Sequence, residues 1–185
     1  MPVGAAVSDQ SGDVIYEGRS RMYERTAPPG ELANSLLAHA EINALARLDP
    51  ERRHEELRIT TTLEPCPLCL GAIGMATVGS LTYLGRDPYG GAVGLLMPTE
   101  HLRRVPLRID GPRDDPIGLL ASAMHVAFYL ERKPDGYVVG THRDRAPRIL
   151  SAAERLASSG AATAARRGES FEDRLPAMLA ELADL

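Results

Sequence analysis

The stretch TTTLEPCPLCLGAI, Thr60–Ile73, joins a β-rich run to a helix start and carries both cysteines of the chain. Before Pro65, the run Leu57–Thr62 (LRITTT) is rich in β-branched residues and reads as a central strand. After it, Pro67 falls in a first helical turn, where its missing N–H costs nothing, and the spacing predicts a helix over 67–76. Cys66 and Cys69 therefore sit at a helix mouth. Exposed N–H groups and the helix dipole favour the thiolate there. Two thiols so placed can hold one metal ion, or they can act as a redox dithiol.

On the N-terminal side, Val3–Val7 reads as a strand, 8–13 as a turn, and Val14–Tyr16 as the returning strand of a hairpin. A polar loop over 18–31 precedes a helix over 40–48, with Ile42, Leu45 and Leu48 on one face and Pro50 at its end. On the C-terminal side, Ser80–Leu84 is a strand and 86–94 a Gly-rich loop. Asp115 and Pro116 cap and begin a further helix, whose apolar stripe is Ile117, Leu120, Met124 and Phe128. Strands alternating with helices imply an α/β sheet covered by helices.

Past Pro134 the composition shifts. Ser151–Glu154 has the form of a capping box and sits inside a possible helix with Ile149, Leu150, Ala153 and Leu156. Residues 158–170 read as a linker. Phe171, Leu175, Met178, Leu179 and Leu182 share one helix face, with Pro176 limiting where that helix begins. The expected division is a domain over 1–133 and a helical tail over 134–185.

Composition narrows the function. The 185 residues suit one domain with a small appendage; 44% are apolar and 25% charged, and the net charge is −4. That balance does not grip nucleic acid by overall charge. Arg143, Arg145, Arg148, Arg166 and Arg167 make the tail locally basic, but acidic residues lie among them and no aromatics interleave, so a solvated face is expected. No apolar run is long enough to span a membrane. The opening MPVGAAVSDQSGDV lacks a basic start and a long apolar core. A cytoplasmic protein with no membrane partner is expected, and in that reducing setting the two cysteines favour metal or catalytic roles over a disulfide.

Ala38-His39-Ala40-Glu41 discriminates between the uses of the thiols. His39 can add a nitrogen ligand to Cys66 and Cys69. Three protein ligands leave a fourth position for water, the mark of a catalytic zinc site, and zinc lowers the pKa of such water towards neutrality. Glu41 lies two residues on, so it shares a cavity with His39 only at a helix mouth; there it can serve as a carboxylate that moves protons. A purely structural zinc cage lacks a fourth ligand here, and a redox dithiol leaves His39 and Glu41 without a role. His54, His101, His125 and His142 have no ligand spacing, and surface or packing roles are expected for them.

The pattern His39-Ala40-Glu41 with Pro65-Cys66-Pro67-Leu68-Cys69 is the H-x-E, P-C-x-x-C signature of zinc-dependent deaminases. The chain resembles the cytidine deaminase-like superfamily, in the branch of tRNA adenosine, guanine and cytosine deaminases. HAEINAL and TTLEPCPLCLGAI match that branch well, and VGAAV and GRDPYGGAVG loosely. The resemblance implies a three-layer α/β/α fold with a mixed sheet, hydrolytic deamination of a nucleobase-type ring, Zn2+ on His39, Cys66 and Cys69, and Glu41 as proton shuttle. It also implies a homodimer.

Three departures bear on substrate. Ser20 stands near where the family often has an asparagine, so Ser20 becomes a candidate substrate contact. Ser35-Leu36-Leu37-Ala38 makes the approach to His39 more apolar than usual. Arg86-Asp87 is kept, making Asp87 a second candidate contact, but the Lys-Thr-Gly that tends to follow is not. The family also has a helix before its first strand, whereas Val3 here is almost the first residue; a start annotated late, or tail helices over the vacant face, would account for that. The expected substrate is a nucleobase, nucleoside or related heterocyclic amine. Adenosine in tRNA is the alternative, and a non-catalytic zinc-binding module the rival of another class.

Overall fold

A computed structural model describes residues 1–95, 99–104, 106–160 and 170–185. Five strands form one sheet: β1 (Gly4–Ser8), β2 (Val14–Arg19), β3 (Arg58–Leu63), β4 (Ser80–Gly85) and β5 (Arg108–Asp110). Their order is β2-β1-β3-β4-β5. The β1 strand runs antiparallel to both β2 and β3, while β3, β4 and β5 are parallel, so the sheet is mixed.

Helices α1 (Ala40–Leu45) and α2 (Pro67–Met75) cover one face. There Val7, Ile59 and Leu81 meet Ala40, Ala44, Leu70 and Ile73 in a closed core. Alternation along β3 delivers Ile59, Thr61 and Leu63 to that face and leaves Thr60 and Thr62 on the other. Short α3 (Glu100–Arg104) ties back to α2 through His101 Nε2, 3.0 Å from the Gly74 carbonyl.

The remaining layer starts with α4 (Pro116–Arg132), packed along β3 and β4. Asp115 caps it as expected: its Oδ1 accepts from Gly118 N at 3.0 Å, and Pro116 takes the first turn. Three further helices, α5 (Tyr137–Arg145), α6 (Pro147–Ser158) and α7 (Phe171–Ala180), pack on α4 in a second core of Leu120, Val126, Val139, Leu150, Leu156 and Met178. The three-layer α/β/α fold is therefore present with a helical C-terminal region. Of these helices α4 reaches β3 and β4; over β1 and β2 a groove of about 810 Å³, bordered by Gly4, Ala6, Thr60 and Thr62, stays open. No described helix is long and apolar enough to cross a membrane.

Several boundaries differ from the sequence expectation. The α1 helix stops at Leu45, and the chain turns through Ala46 to Leu48. The helix expected around Ser151 is present as α6, but it begins at Pro147, whose fixed φ suits a first turn, so Ser151 lies inside it and does not cap it. Ile117 is exposed, although Leu120, Met124 and Phe128 are buried as predicted. Pro176 lies inside α7, which begins five residues earlier, and Phe171 is exposed. Most of the linker expected over 158–170, with Arg166 and Arg167, lies outside the described residues.

Gly18 on β2 faces α1 with no room for a side chain: a Cβ there would run into the Ala40 carbonyl and the Ala44 nitrogen. Gly18→Ala should therefore cost about 1–3 kcal/mol by overpacking. A thermal melt followed by circular dichroism should show the midpoint falling by several degrees.

Candidate metal centre and cavity

Both helix mouths open at the same end of the sheet, and each presents its cap residue. His39 is the N-cap of α1 with extended backbone (φ −78°, ψ 157°); Cys66 is the N-cap of α2 (φ −72°, ψ 171°) with Pro67 behind it. Cys69 follows three positions on, on the same side of the helix as Cys66. Because His39 is a cap and Glu41 lies in the first turn, both side chains reach one cavity despite their i, i+2 spacing.

The loop before His39 is fastened at several points. Asn34 adopts a left-handed conformation (φ 49°), which asparagine tolerates, and its N–H donates to the Arg21 carbonyl at 3.2 Å. Arg21 N–H in turn donates to the Ala38 carbonyl at 2.9 Å. The Arg21 guanidinium pairs with Glu31 at 2.5 Å and with Glu24 at 2.7 Å. Asn43, fully buried on α1, clamps the same loop: its Oδ1 accepts from Leu32 N at 2.7 Å, and its Nδ2 donates to the Arg19 and Leu32 carbonyls at 3.0 and 3.2 Å.

Among the described residues, His39, Cys66 and Cys69 form the cluster that could hold a metal ion. His39 Nδ1 lies 3.5 Å from Cys66 Sγ and 3.3 Å from Cys69 Sγ, and the two sulfurs are 3.6 Å apart. Tetrahedral zinc with Zn–S near 2.3 Å and Zn–N near 2.0–2.1 Å has S–S edges of about 3.8 Å and S–N edges of about 3.6 Å. The donor triangle matches those edges to within a few tenths of an ångström, so the residues present fit the ion.

Electrostatics agree with that fit. Cys66 is pulled down to about 4, first by the hydrogen bond it shares with Cys69 and then by His39. Cys69 is pushed up by that same shared bond, and next by burial. The two thiols thus keep one proton between them. A divalent cation removes the reason to keep it, since coordination deprotonates a thiol outright. His39 is raised by its bond to Cys66.

Glu41 is 4% exposed. Its Oε1 accepts from Thr61 Oγ1 at 3.2 Å, and its Oε2 lies 3.2 Å from Cys69 Sγ. Burial holds its carboxyl above the ordinary carboxylate range, while its hydrogen bond to Cys69 pulls the other way.

The cluster opens into a cavity of about 150 Å³. Asp87 is buried in its wall; its Oδ1 accepts from Tyr89 N and Gly90 N, both at 3.0 Å, so it also shapes the 87–90 turn. Ser20 is buried without a partner for its Oγ, but it does not border the cavity; Met22 does. His125, expected in a surface or packing role, stands in the wall with Tyr129 of α4 and Val138 of α5, neither of them expected there. Buried polar residues inside an apolar helix stripe were the available signal for His125.

Residues 1–84 match the family described as the cytidine and deoxycytidylate deaminase zinc-binding region. This stretch is similar to the cytidine deaminase-like superfamily. The deaminase-like region is similar to a tRNA-specific adenosine deaminase of Agrobacterium fabrum, 36% identical over 97 residues, which is 50% of this chain and 57% of that protein. It is similar to the one from Rickettsia bellii, 34% identical over 50% of this chain and 61% of that protein. A tRNA(Ile)-lysidine synthase of Deinococcus radiodurans is 33% identical over 51% of this chain and 15% of its own length. The chain thus spans less than two thirds of each of these relatives. A solved tRNA:A34 deaminase structure is 32% identical over 60% of this chain and 82% of that one, with a TM-score of 0.47.

Asn43→Ala removes three part-buried hydrogen bonds, one from the Leu32 N–H and two to the Arg19 and Leu32 carbonyls. Each contributes about 0.5–1.5 kcal/mol, so chemical denaturation should show a loss of about 1.5–4.5 kcal/mol, with Asn43→Asp in between.

Proposed function

We propose that the chain is a zinc-dependent aminohydrolase that converts an amine-bearing nucleobase, nucleoside or related heterocycle to the corresponding carbonyl compound and releases ammonia. The observation that carries this reading is the three-donor triangle of His39, Cys66 and Cys69 beside the buried carboxyl of Glu41, at the floor of one cavity. In this reading those three residues hold the ion. Zinc with three protein ligands supplies hydroxide at neutral pH.

The net reaction adds water and expels ammonia: a C–O bond forms and the C–N bond breaks. Glu41 moves the protons. It delivers one from water to the ring nitrogen and a second to the departing amine, so the ring keeps one proton and ammonia takes the other. Thr61 Oγ1 holds one carboxylate oxygen in place, and burial raises the basicity of the group towards that of an efficient shuttle near neutral pH. Asp87 remains a proposed substrate contact; Ser20, the other candidate, does not border the cavity. Residues 1–133 are proposed as the catalytic unit, 134–185 as its helical cover, and a cytoplasmic homodimer as the working form.

A second reading, deamination of an adenosine in tRNA, is favoured by the relatives named above and by Arg86, Arg145 and Arg148, which border a groove of about 770 Å³ next to the Asp87 turn. A non-catalytic module would have no use for Glu41.

Ammonia release from cytosine, adenine, guanine, their nucleosides, triazine amines and a tRNA anticodon stem-loop tests both. Release from a small ring supports the first reading; release confined to the stem-loop, falling steeply with salt, supports the second. Glu41→Gln should keep its zinc and lose about 10²–10⁴-fold in rate; an active Glu41→Gln protein would overturn the assigned role. Cys66→Ser and Cys69→Ser should each purify with little zinc by elemental analysis.

A further inference from the structure

The cavity wall formed by the loop after β4 lies beyond the family match, yet one carboxyl inside that match holds it. Asp87, Tyr89 and Gly90 border the cavity, and so does Glu64, the residue that follows β3. The Glu64 carboxyl receives both ends of the loop: its Oε2 accepts from Asp87 N at 3.3 Å, and its Oε1 from Val93 N at 3.4 Å. Among the described residues no backbone carbonyl takes either N–H, and a backbone donor shielded from water needs an acceptor. Between those ends the chain folds on itself. Gly91 N donates to the Asp87 carbonyl at 2.9 Å, and Asp87 Oδ1 takes Tyr89 N and Gly90 N.

Gly91 sits directly on the carboxyl: a Cβ there would overlap Glu64 Cδ and would also meet the Asp87 carbonyl. Ala92 is packed in the sheet core, and its N–H donates to the Pro65 carbonyl at 2.9 Å. That bond fixes the far end of the loop whatever stands at position 64. The Glu64 N–H, donating to the Gly85 carbonyl at 2.8 Å, fixes the strand end in the same way. What the side chain adds is a hold on the stretch between them, where the cavity wall is. We propose that Glu64 is a positioning residue of this site: its carboxyl sets where the Asp87–Gly90 wall meets the substrate. The proposal rests on the deaminase reading for what the wall meets. It rests on the hydrogen bonds alone for how the wall is held.

The tests use the zinc-loaded full chain. Glu64→Ala should hold as much zinc as wild type by elemental analysis. Amide exchange at Asp87 and Val93 should quicken by at least about tenfold, with the amides of α1 and α2 unchanged. A small misplacement of a positioning group is enough to cost about 10²-fold in rate. For the amine that wild type deaminates, KM should rise about tenfold with kcat changed by less than about threefold, as for contacts made equally in the ground and transition states. Glu64→Gln keeps the shape and one acceptor oxygen, so its KM should fall between those of wild type and Glu64→Ala. Gly91→Ala crowds the same carboxyl and should raise KM as well. In the Glu64→Ala background its effect should shrink, because one of its two clashes is gone.

Unchanged exchange at Asp87 and Val93, loss of zinc, a lowered thermal midpoint with unchanged KM, or a fully additive Gly91→Ala effect would each overturn the inference. Ammonia release by wild type with unaltered kinetics in Glu64→Ala sinks this inference alone. Silence of wild type towards every amine sinks the catalytic reading instead. The wall is then judged by exchange: faster exchange in Glu64→Ala sustains the positioning, and unchanged exchange removes it.

Discussion

How closely α1 lies on the sheet decides whether there is a site at all. His39 and Glu41 come from one helix mouth, Cys66 and Cys69 from another, and the donor atoms must meet within the few ångströms that a single ion spans. Gly18 permits the approach, because its missing side chain lets the backbone of α1 rest on β2. Asn43 enforces it by tying α1 to the Arg19–Leu32 loop through three hydrogen bonds. The approach in turn buries Glu41, and that burial raises its proton affinity against the pull of its hydrogen bond to Cys69.

The thiols illustrate how a site can be prepared for a cation by frustration. Two sulfurs at a helix start both gain from ionising, yet neither tolerates the other's charge at 3.6 Å without compensation. The result is one half-buried, acidic thiol and one buried, reluctant one. His39 offsets part of the charge. A divalent ion offsets all of it, which fits the geometry better than a disulfide exchange role.

Much of this was legible in the sequence because it is local. Spacing alone puts Cys66 and Cys69 on one helical side, and Pro67 marks the helix start. The H-x-E order makes sense only at a helix mouth, which is where the fold places it. The Asp115-Pro116 start is local too. What the sequence hides is tertiary. Strand β5 is three exposed residues, too short to carry a pattern. Helix α5 runs through Val138, Val139, Gly140 and Thr141, poor helix formers, and is held by burying Val138, Val139 and His142. His125 looks like one polar residue in an apolar stripe until the stripe is seen to have two neighbours, the helical core on one side and the cavity on the other. The Ser151 motif fails for the opposite reason: its local pattern is good, but Pro147 starts the helix a turn earlier.

Val138 gives the tail a share in the cavity. It projects from α5 into the wall, while its neighbour Val139 sits in the core that joins α4, α6 and α7. Filling the cavity and docking the tail are therefore linked equilibria. A ligand that completes the wall stabilises the helices behind it, and a helix that lets go withdraws part of the ligand's contact surface. By reciprocity each changes the other's free energy by the same amount. The C-terminal helices are in that sense a thermodynamic partner of the site.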